Sequence, residues 1–290
     1  MVSSVGIVGL DYCGSTLMNN ILSGLPGCIG VGESHWIVDR VRNEGQSGLC
    51  TECFVNPCPV FTEVVYERLG DEDALEPGQW WQIIAESAGA DVIISADKRP
   101  KHFVRFGIPD KILMMIKDPR SHIVSWCRRK YPPVEKSDVE AYHKGEVVDG
   151  LLEEQFIEGL NHWVRETRIH LDWCIDTEKP VAVVSLESLA LDDEAILGDI
   201  AEWIGVDYDP AALRYWETDL HYIGSNHSVK RMRKDRYFFK TIKLDERWKQ
   251  VLSNEQANRI MTDERVLELL ERLRTHLLNA GEWPFTTSMN

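Results

Sequence analysis

The stretch Val5-Gly6-Ile7-Val8-Gly9-Leu10-Asp11-Tyr12-Cys13-Gly14-Ser15-Thr16-Leu17 decides how the rest of the chain is read. Its first part, Val5–Leu10, is a continuous apolar, β-rich run of the kind buried on both faces of a sheet. Turn residues follow, and Ser15–Leu22 carries a helical pattern. A glycine-bearing turn between a strand and a helix N-terminus presents several backbone N–H groups and the positive end of the helix dipole, which suits an anion. The spacing is that of a phosphate loop: Gly9, four residues, Gly14, then the hydroxyls of Ser15 and Thr16. Ser15 stands where a nucleoside-triphosphatase loop has its lysine, and no convincing magnesium carboxylate follows a later strand. Both facts disfavour ATP or GTP hydrolysis. A plain strand-to-helix turn with a Ser or Thr cap explains the same residues on their own.

Outward from this stretch, short apolar runs recur between longer helical patterns. Strands are expected at Cys28–Val31, Asp91–Ser95, Ile112–Ile116 and Val181–Ser185, and helices at His35–Val41, Trp80–Ala88, Ser121–Arg129, Leu151–Asp176 and Asp192–Ile204. Alternation of this kind predicts an α/β fold: a central parallel β-sheet flanked by helices in three layers. In Leu151–Asp176 the apolar face is read as Phe156, Leu160, Trp163 and Ile169. A last helix over Asn254–Asn279 carries Val266, Leu270, Leu273 and Leu277, with Gly281 as its stop. The polar segments 131–150 and 216–243 are candidate lids or substrate loops. No linker divides the chain, so residues 1–290 are expected to form one domain.

Composition narrows the function. The 290 residues carry a formal net charge of −15, which argues against nucleic acid as a partner held by a broad basic surface. A small anionic cofactor is still compatible, because backbone dipoles and a few cations can hold phosphate locally. No run approaches the ~20 apolar residues of a membrane span, and the N-terminus lacks a basic n-region, so a cytoplasmic location is expected. Seven cysteines, an odd number without an export signal, argue against a disulfide framework.

The second informative stretch is Lys117-Asp118-Pro119-Arg120-Ser121-His122-Ile123-Val124-Ser125-Trp126, which leaves the strand Ile112–Ile116. Lys117 at the strand end and Ser125 one to two turns into the next helix can converge on one phosphate. Here the chain resembles the sulfotransferases that use 3′-phosphoadenosine 5′-phosphosulfate (PAPS). Gly14-Ser15-Thr16-Leu17 matches their lysine-free loop for the 5′-phosphosulfate, and Lys117…Ser125 matches their basic-residue and serine pair for the 3′-phosphate. Looser matches are Gly32-Glu33, Asp91–Arg99 and the late loop Gly224-Ser225-Asn226-His227-Ser228-Val229-Lys230-Arg231. The resemblance implies the P-loop-like sulfotransferase architecture and a donor site built from Cys13, Gly14, Ser15, Thr16, Leu17, Lys117, Arg120, Ser125, Ser228, Lys230 and Arg231. One position departs from the family: Tyr12 stands where a Lys or Arg is usual, so Lys98 or Arg99 is expected to supply that cation.

Sulfuryl transfer needs a base for the acceptor, a cation for the leaving phosphate oxygen and in-line placement, and requires no metal. Glu33, at a strand end and pointed to by the resemblance, is the first choice of base, with a helix-start carboxylate as its plain reading. His35 is the alternative base. Lys98 can reach the sulfuryl group from the third strand, or pair on the surface with Asp97 or another carboxylate. Arg120 either touches the 3′-phosphate or caps its helix. Trp36, Trp80, Trp81 and Trp126 are read mainly as packing. Cys50-x2-Cys53-x4-Cys58 offers thiols for zinc with His35 or Cys28 as a fourth ligand, but the second ligand pair of a usual site is missing, so no metal is expected. A disulfide or packed thiols are the other readings.

These readings converge on a PAPS-dependent sulfotransferase acting on a hydroxyl or amine of a small molecule. The acidic balance tilts the acceptor toward a cationic metabolite of the guanidinium-alkaloid kind, with a carbohydrate as the other class. The alternatives are a P-loop nucleotide kinase or NTPase-like enzyme, and a non-catalytic nucleotide-binding protein in which Tyr12 marks an altered donor site.

Overall fold

The computed structural model describes residues 2–37, 50, 58–70, 75–131, 150–224, 242–278 and 283–284. Its sheet has five strands: β1 (Ser3–Gly9), β2 (Cys28–Gly32), β3 (Val92–Lys98), β4 (Lys111–Ile116) and β5 (Val181–Ser185). They lie in the order β2-β3-β1-β4-β5, and every pairing is parallel. The expected α/β class and central parallel sheet are what the structure has. β1 sits at the centre, the chain then fills one side with β2 and β3, and crosses back to lay β4 on the other side. The β1/β4 boundary is therefore the topological switch point, where open α/β sheets collect ligands beyond their strand ends.

Helices cover both faces. In chain order they are α1 (Ser15–Leu22), α2 (Glu63–Gly70), α3 (Gln79–Ala88), α4 (Pro100–Phe106), α5 (Pro119–Lys130), α6 (Glu153–Asp176), α7 (Leu186–Leu191), α8 (Asp193–Ile204), α9 (Trp248–Val251), α10 (Asn254–Thr262) and α11 (Glu264–Arg274). Alternate strand residues feed two cores. Ile94, Leu113, Met115 and Val184 pack with Met18 and Ile21 of α1 and Leu197 and Ile200 of α8. On the other face Ile93, Ile112, Met114 and Val183 pack with Ile84, Phe103, Ile123, Trp163, Leu171 and Leu270. Trimming a fully buried member such as Leu171 to alanine costs about 2–5 kcal/mol.

Several expectations are corrected. Ile169 is 49 % exposed: six positions beyond Trp163 is about two thirds of a turn off the stripe. The buried face of α6 runs instead through Phe156, Leu160, Trp163, Thr167, Leu171 and Cys174. The single helix expected over Asn254–Asn279 breaks at Asp263, whose carboxylate accepts from Arg265 N–H and caps α11; capping by Asp wins over continuing the helix. Leu277 is not helical but bridges Val183, so the chain after α11 covers the β5 edge. The stretch expected as the helix His35–Val41 opens with a 3-10 turn, Ser34–Trp36, and is α-helical at Ile37; positions 38–41 fall outside the described residues, as does Gly281. The helices α2, α4, α7 and α9 have no counterpart among the expected elements.

The opposite edge is covered too. Ile223 N–H donates to Val31 O at 3.0 Å, Glu33 N–H donates to Gly224 O at 2.7 Å, and Gly32 and Gly224 form a parallel bridge. Both positions need glycine. Gly32 is left-handed (φ 65°) and a Cβ on it would lie 2.2 Å from Gly224 O; a Cβ on Gly224 would meet Trp36 Cδ1 at 2.6 Å. This crossing brings the chain at residue 224 to the backbone of Glu33.

Candidate active site

The C-terminal ends of β1, β2, β3 and β4 share one edge, because Gly9 pairs with Met115, Val8 with Lys98, and Gly32 with Ser95. Beyond β1 the turn passes through Tyr12 (φ 68°) and Gly14 (φ 93°), both left-handed. Gly14 is the N-cap of α1 and brings no capping side chain. The first-turn N–H groups of Ser15, Thr16 and Leu17 thus have no intrahelical acceptor and gather at the positive end of the helix. Ser15 and Thr16 are buried there. Cys13 is fully buried, and burial pushes its thiol up to about 11, so it contributes shape and backbone to the loop and not a thiolate.

Lys98 ends β3 in the left-handed region (φ 63°), an uncommon conformation for a residue with a Cβ. Its Nζ lies 2.6 Å from Glu33 Oε1, so its partner is Glu33 and not Asp97. Burial opposes the lysine's charge, but Glu33 and then Asp11 outweigh it and raise Lys98 above its ordinary value. Arg99 reaches Asp11 in the loop at 2.9 Å. Lys98 and Arg99 are thus both tied to carboxylates at or beside the loop that carries Tyr12. Glu33 takes a second hydrogen bond from Trp36 Nε1 at 3.1 Å. Trp36 is 44 % exposed at this rim, so among the four tryptophans read as packing it is the exception; Trp80 and Trp81 are buried, and Trp126 stacks on His162.

Beside Glu33 lies an arrangement the sequence reading missed. Asp97 is buried in β3, and its carboxylate accepts from Ser34 Oγ (2.5 Å), Ser95 Oγ (2.6 Å) and His35 N–H (2.8 Å), with His35 Nδ1 at 2.7 Å. Burial disfavours its charge, but the His35 bonds, the imidazole's charge and the two hydroxyls hold Asp97 below its ordinary value. An ionised Asp97 on Nδ1 fixes the tautomer that carries its proton there and leaves Nε2 the basic nitrogen. His35 stacks on His102, ring centres 3.8 Å apart; burial lowers His102, which favours its neutral form beside His35. The signal was present in Ser95-Ala96-Asp97: two polar residues on one face of a strand otherwise apolar and buried.

At the switch point, Lys117 Nζ lies 3.2 Å from Ser125 Oγ, so the structure brings this pair together. It also shows what holds them. Asp245, 128 residues on, places Oδ2 2.5 Å from Lys117 Nζ, and Arg247 grips the same carboxylate at 2.6 and 2.7 Å. Burial opposes the charge of Asp245, but the Arg247 bonds and the Lys117 charge keep it well below the carboxylate range. Lys117 is thus paired with an internal carboxylate, which Arg247 holds from its other side. Arg120 is engaged otherwise. Its guanidinium forks onto Asp118 (2.7–3.1 Å) and stacks 3.9 Å from the Trp248 ring centre, the arrangement of a helix-start clamp. Behind this turn Glu187 is buried, and burial followed by the Asp118 charge pushes it up to about 7.

Ser228, Lys230 and Arg231 lie outside the described residues, as do Cys53 and most of the segments 131–150 and 216–243. Neither Cys28 nor His35 joins Cys50 and Cys58, which are not disulfide-bonded. No helix among the described residues is long and apolar enough to cross a membrane.

No protein-family model matches the chain, and no curated protein sequence matches it. Solved structures do. The sulfotransferase domain from the curacin biosynthetic pathway aligns over 90 % of this chain and 97 % of its own, with a TM-score of 0.60 and 15 % identity. The sulfotransferase domain of the Synechococcus PCC 7002 olefin synthase aligns over 98 % of this chain and 96 % of its own, at a TM-score of 0.56 and 16 % identity. The fold of this chain is therefore that of sulfotransferase domains.

Proposed function

We propose that this chain is a PAPS-dependent sulfotransferase with a small-molecule acceptor. The observation that carries the reading is the meeting, at the switch point of a sulfotransferase fold, of a lysine-free loop and a Lys117–Ser125 pocket already holding a carboxylate. Ser15 and Thr16, with the first-turn N–H groups of α1, are assigned to the 5′-phosphosulfate, and Lys117 and Ser125 to the 3′-phosphate. Ser228, Lys230 and Arg231 are assigned to the same nucleotide by the resemblance of the Gly224–Arg231 loop alone. Arg120 positions the Lys117–Asp118 turn through its fork on Asp118.

The donor supplies an activated sulfuryl group; the chain supplies the base and the counter-charge. His35, oriented by ionised Asp97, takes the acceptor's proton at Nε2. Glu33 was the first choice of base, but both of its oxygens are engaged by Lys98 and Trp36. The Lys98–Glu33 pair instead places an ammonium beside the loop, where charge develops on the leaving oxygen. The acceptor is a hydroxyl or amine compound, and the acidic surplus of the chain suits a cationic metabolite or a carbohydrate. A thermal-shift comparison tests the reading, since a ligand that binds only the folded state stabilises it by mass action. Adenosine 3′,5′-bisphosphate is expected to raise the melting temperature and ATP with magnesium is not; the reverse result identifies a nucleotide kinase, and no shift with either a non-binding scaffold.

A further inference from the structure

Away from the donor edge, three soft metal ligands converge from two distant parts of the chain. The Sγ atoms of Cys50 and Cys58 and a ring nitrogen of His221 lie within 4.8 Å of one another, and Cys58 Sγ is 3.3 Å from His221 Nδ1. In a tetrahedral zinc site with Zn–S near 2.3 Å and Zn–N near 2.05 Å, the ligand edges are about 3.6 Å for sulfur to nitrogen and about 3.8 Å for sulfur to sulfur. The Cys58–His221 edge already has about this spacing, and Cys50 Sγ lies within 4.8 Å of both of its atoms. All three residues are half-buried, and Cys58 Sγ also accepts from Phe61 N–H at 3.4 Å, a bond that orients the sulfur from outside the cluster. His221 also lines an open cavity of about 290 Å³ along the β2 edge.

We propose that Cys50, Cys58 and His221 form a structural zinc site, whose fourth position is filled from outside these three. Two thiolates and an imidazole are a donor set for zinc and not for magnesium or calcium. Zinc would bind the two sulfurs as thiolates, with release of their protons. The site has a structural purpose. His221 lies two residues before Ile223 and three before Gly224, the residues that dock on Val31 and Glu33. A zinc ion there would fasten Cys50 and Cys58 to the stretch Ile223–Gly224 that docks on Val31 and Glu33.

The test uses the full chain, reduced and handled without oxygen, and reads metal and not turnover. Titration with cobalt(II) is expected to reach one equivalent with a thiolate-to-metal charge-transfer band and tetrahedral d–d bands, both erased by adding zinc. Cys58→Ser and His221→Ala are each expected to weaken zinc binding on the order of a hundredfold, about one ligand's share of a structural site. Far-ultraviolet circular dichroism separates loss of the ion from loss of the fold. Three results overturn the proposal: wild-type protein that takes up no cobalt, binding indifferent to both substitutions, or a Cys50–Cys58 disulfide in the protein as isolated under reducing conditions.

Discussion

The Lys117 pocket holds a carboxylate where the proposed reaction needs a phosphate, and Asp245→Asn tests how the exchange is made. Lys117 is 4 % exposed, so a 3′-phosphate reaches its ammonium only if Asp245 moves aside. A hydrogen bond to a charged group is worth roughly 1.5–3 kcal/mol. Removing the internal competitor should therefore strengthen adenosine 3′,5′-bisphosphate binding by about 10–100-fold, at 1.4 kcal/mol per tenfold. The same substitution strands a buried ammonium in the free protein, which should cost about 3–5 kcal/mol of stability; bound bisphosphate should restore it. Lys117→Ala acts in the opposite sense. It leaves Asp245 facing the incoming phosphate and should weaken binding by about 100-fold or more, with part recovered in the double variant. Calorimetric titration reads these affinities, and adenosine 5′-phosphate, which lacks the 3′-phosphate, is the control that neither variant should disturb. Unchanged bisphosphate affinity in Asp245→Asn, or an equal change for both nucleotides, would refute the assignment of the 3′-phosphate to this pocket.

The remaining predictions address the base, the strand-end crossing and the buried acid. His35→Ala and Asp97→Asn should each lower turnover roughly 10²–10⁴-fold with bisphosphate affinity almost unchanged; if Glu33→Gln does this and His35→Ala does not, the base is Glu33. Gly32→Ala forces a left-handed Cβ onto Gly224 O and should cost more than the ~1 kcal/mol typical of glycine positions. A urea midpoint equal to wild type would show that the 222–224 crossing does not bear on stability. Glu187, at about 7 when folded against an ordinary 4.5, keeps a proton that the unfolded chain has lost. Stability should therefore fall as pH rises from about 4.5 to about 7, by up to ~3 kcal/mol. Urea midpoints across that range should show the slope in wild type and lose it in Glu187→Gln. Sulfuryl transfer, once an acceptor is found, should be indifferent to added magnesium; a strict magnesium requirement would return the chain to the kinase reading.

The sheet was legible because its strands are buried on both faces. Val181–Ser185 and Ser15–Leu22 coincide with the observed elements, and the other strands differ by one to three residues at an end. Legibility failed where short-range chemistry overrides a periodic pattern. Asp263 interrupts an otherwise continuous apolar stripe by capping the next helix, and α7 is only six residues long, started by Ser185 accepting from Ser188 N–H. The site divides in the same way. The loop Gly14-Ser15-Thr16 and the Lys117…Ser125 pair are local in sequence, and a strand end followed by a helix is enough to place them. Asp245 has no signal at all: nothing near it in the chain announces a partner 128 residues earlier, and only the packing of the segment before α9 on α5 reveals it.

A net charge of −15 argues against a broad basic surface but is compatible with a small anionic cofactor, and the ion pairs along the strand-end edge bear on how one would be held. Four cations at or beside the strand-end edge each have a carboxylate: Lys98 has Glu33, Arg99 has Asp11, Lys117 has Asp245 and Arg120 has Asp118. Lysine and arginine in such pairs cost little to keep charged in a partly buried cleft, whereas unpaired they would be expensive. Under the proposed function an anion would bind by exchange, taking the place of a carboxylate that can withdraw to water. The pairs differ in how readily they can do this. Arg99–Asp11 is half exposed and worth little. Arg120–Asp118 is bidentate and buried, two residues apart at a helix start, and has nowhere to go. Lys117–Asp245 joins a buried lysine to a carboxylate on the segment before α9, beyond the last strand, so it is the pair a phosphate can open. On this argument the affinity of the pocket is set less by the number of its cations than by the cost of moving Asp245, and Arg247, which holds Asp245 from the other side, sets that cost. Arg247→Ala should accordingly loosen the carboxylate and strengthen bisphosphate binding in the same direction as Asp245→Asn, by a smaller factor. A weaker affinity in Arg247→Ala would instead show that Arg247 turns from the carboxylate to the phosphate when the exchange occurs.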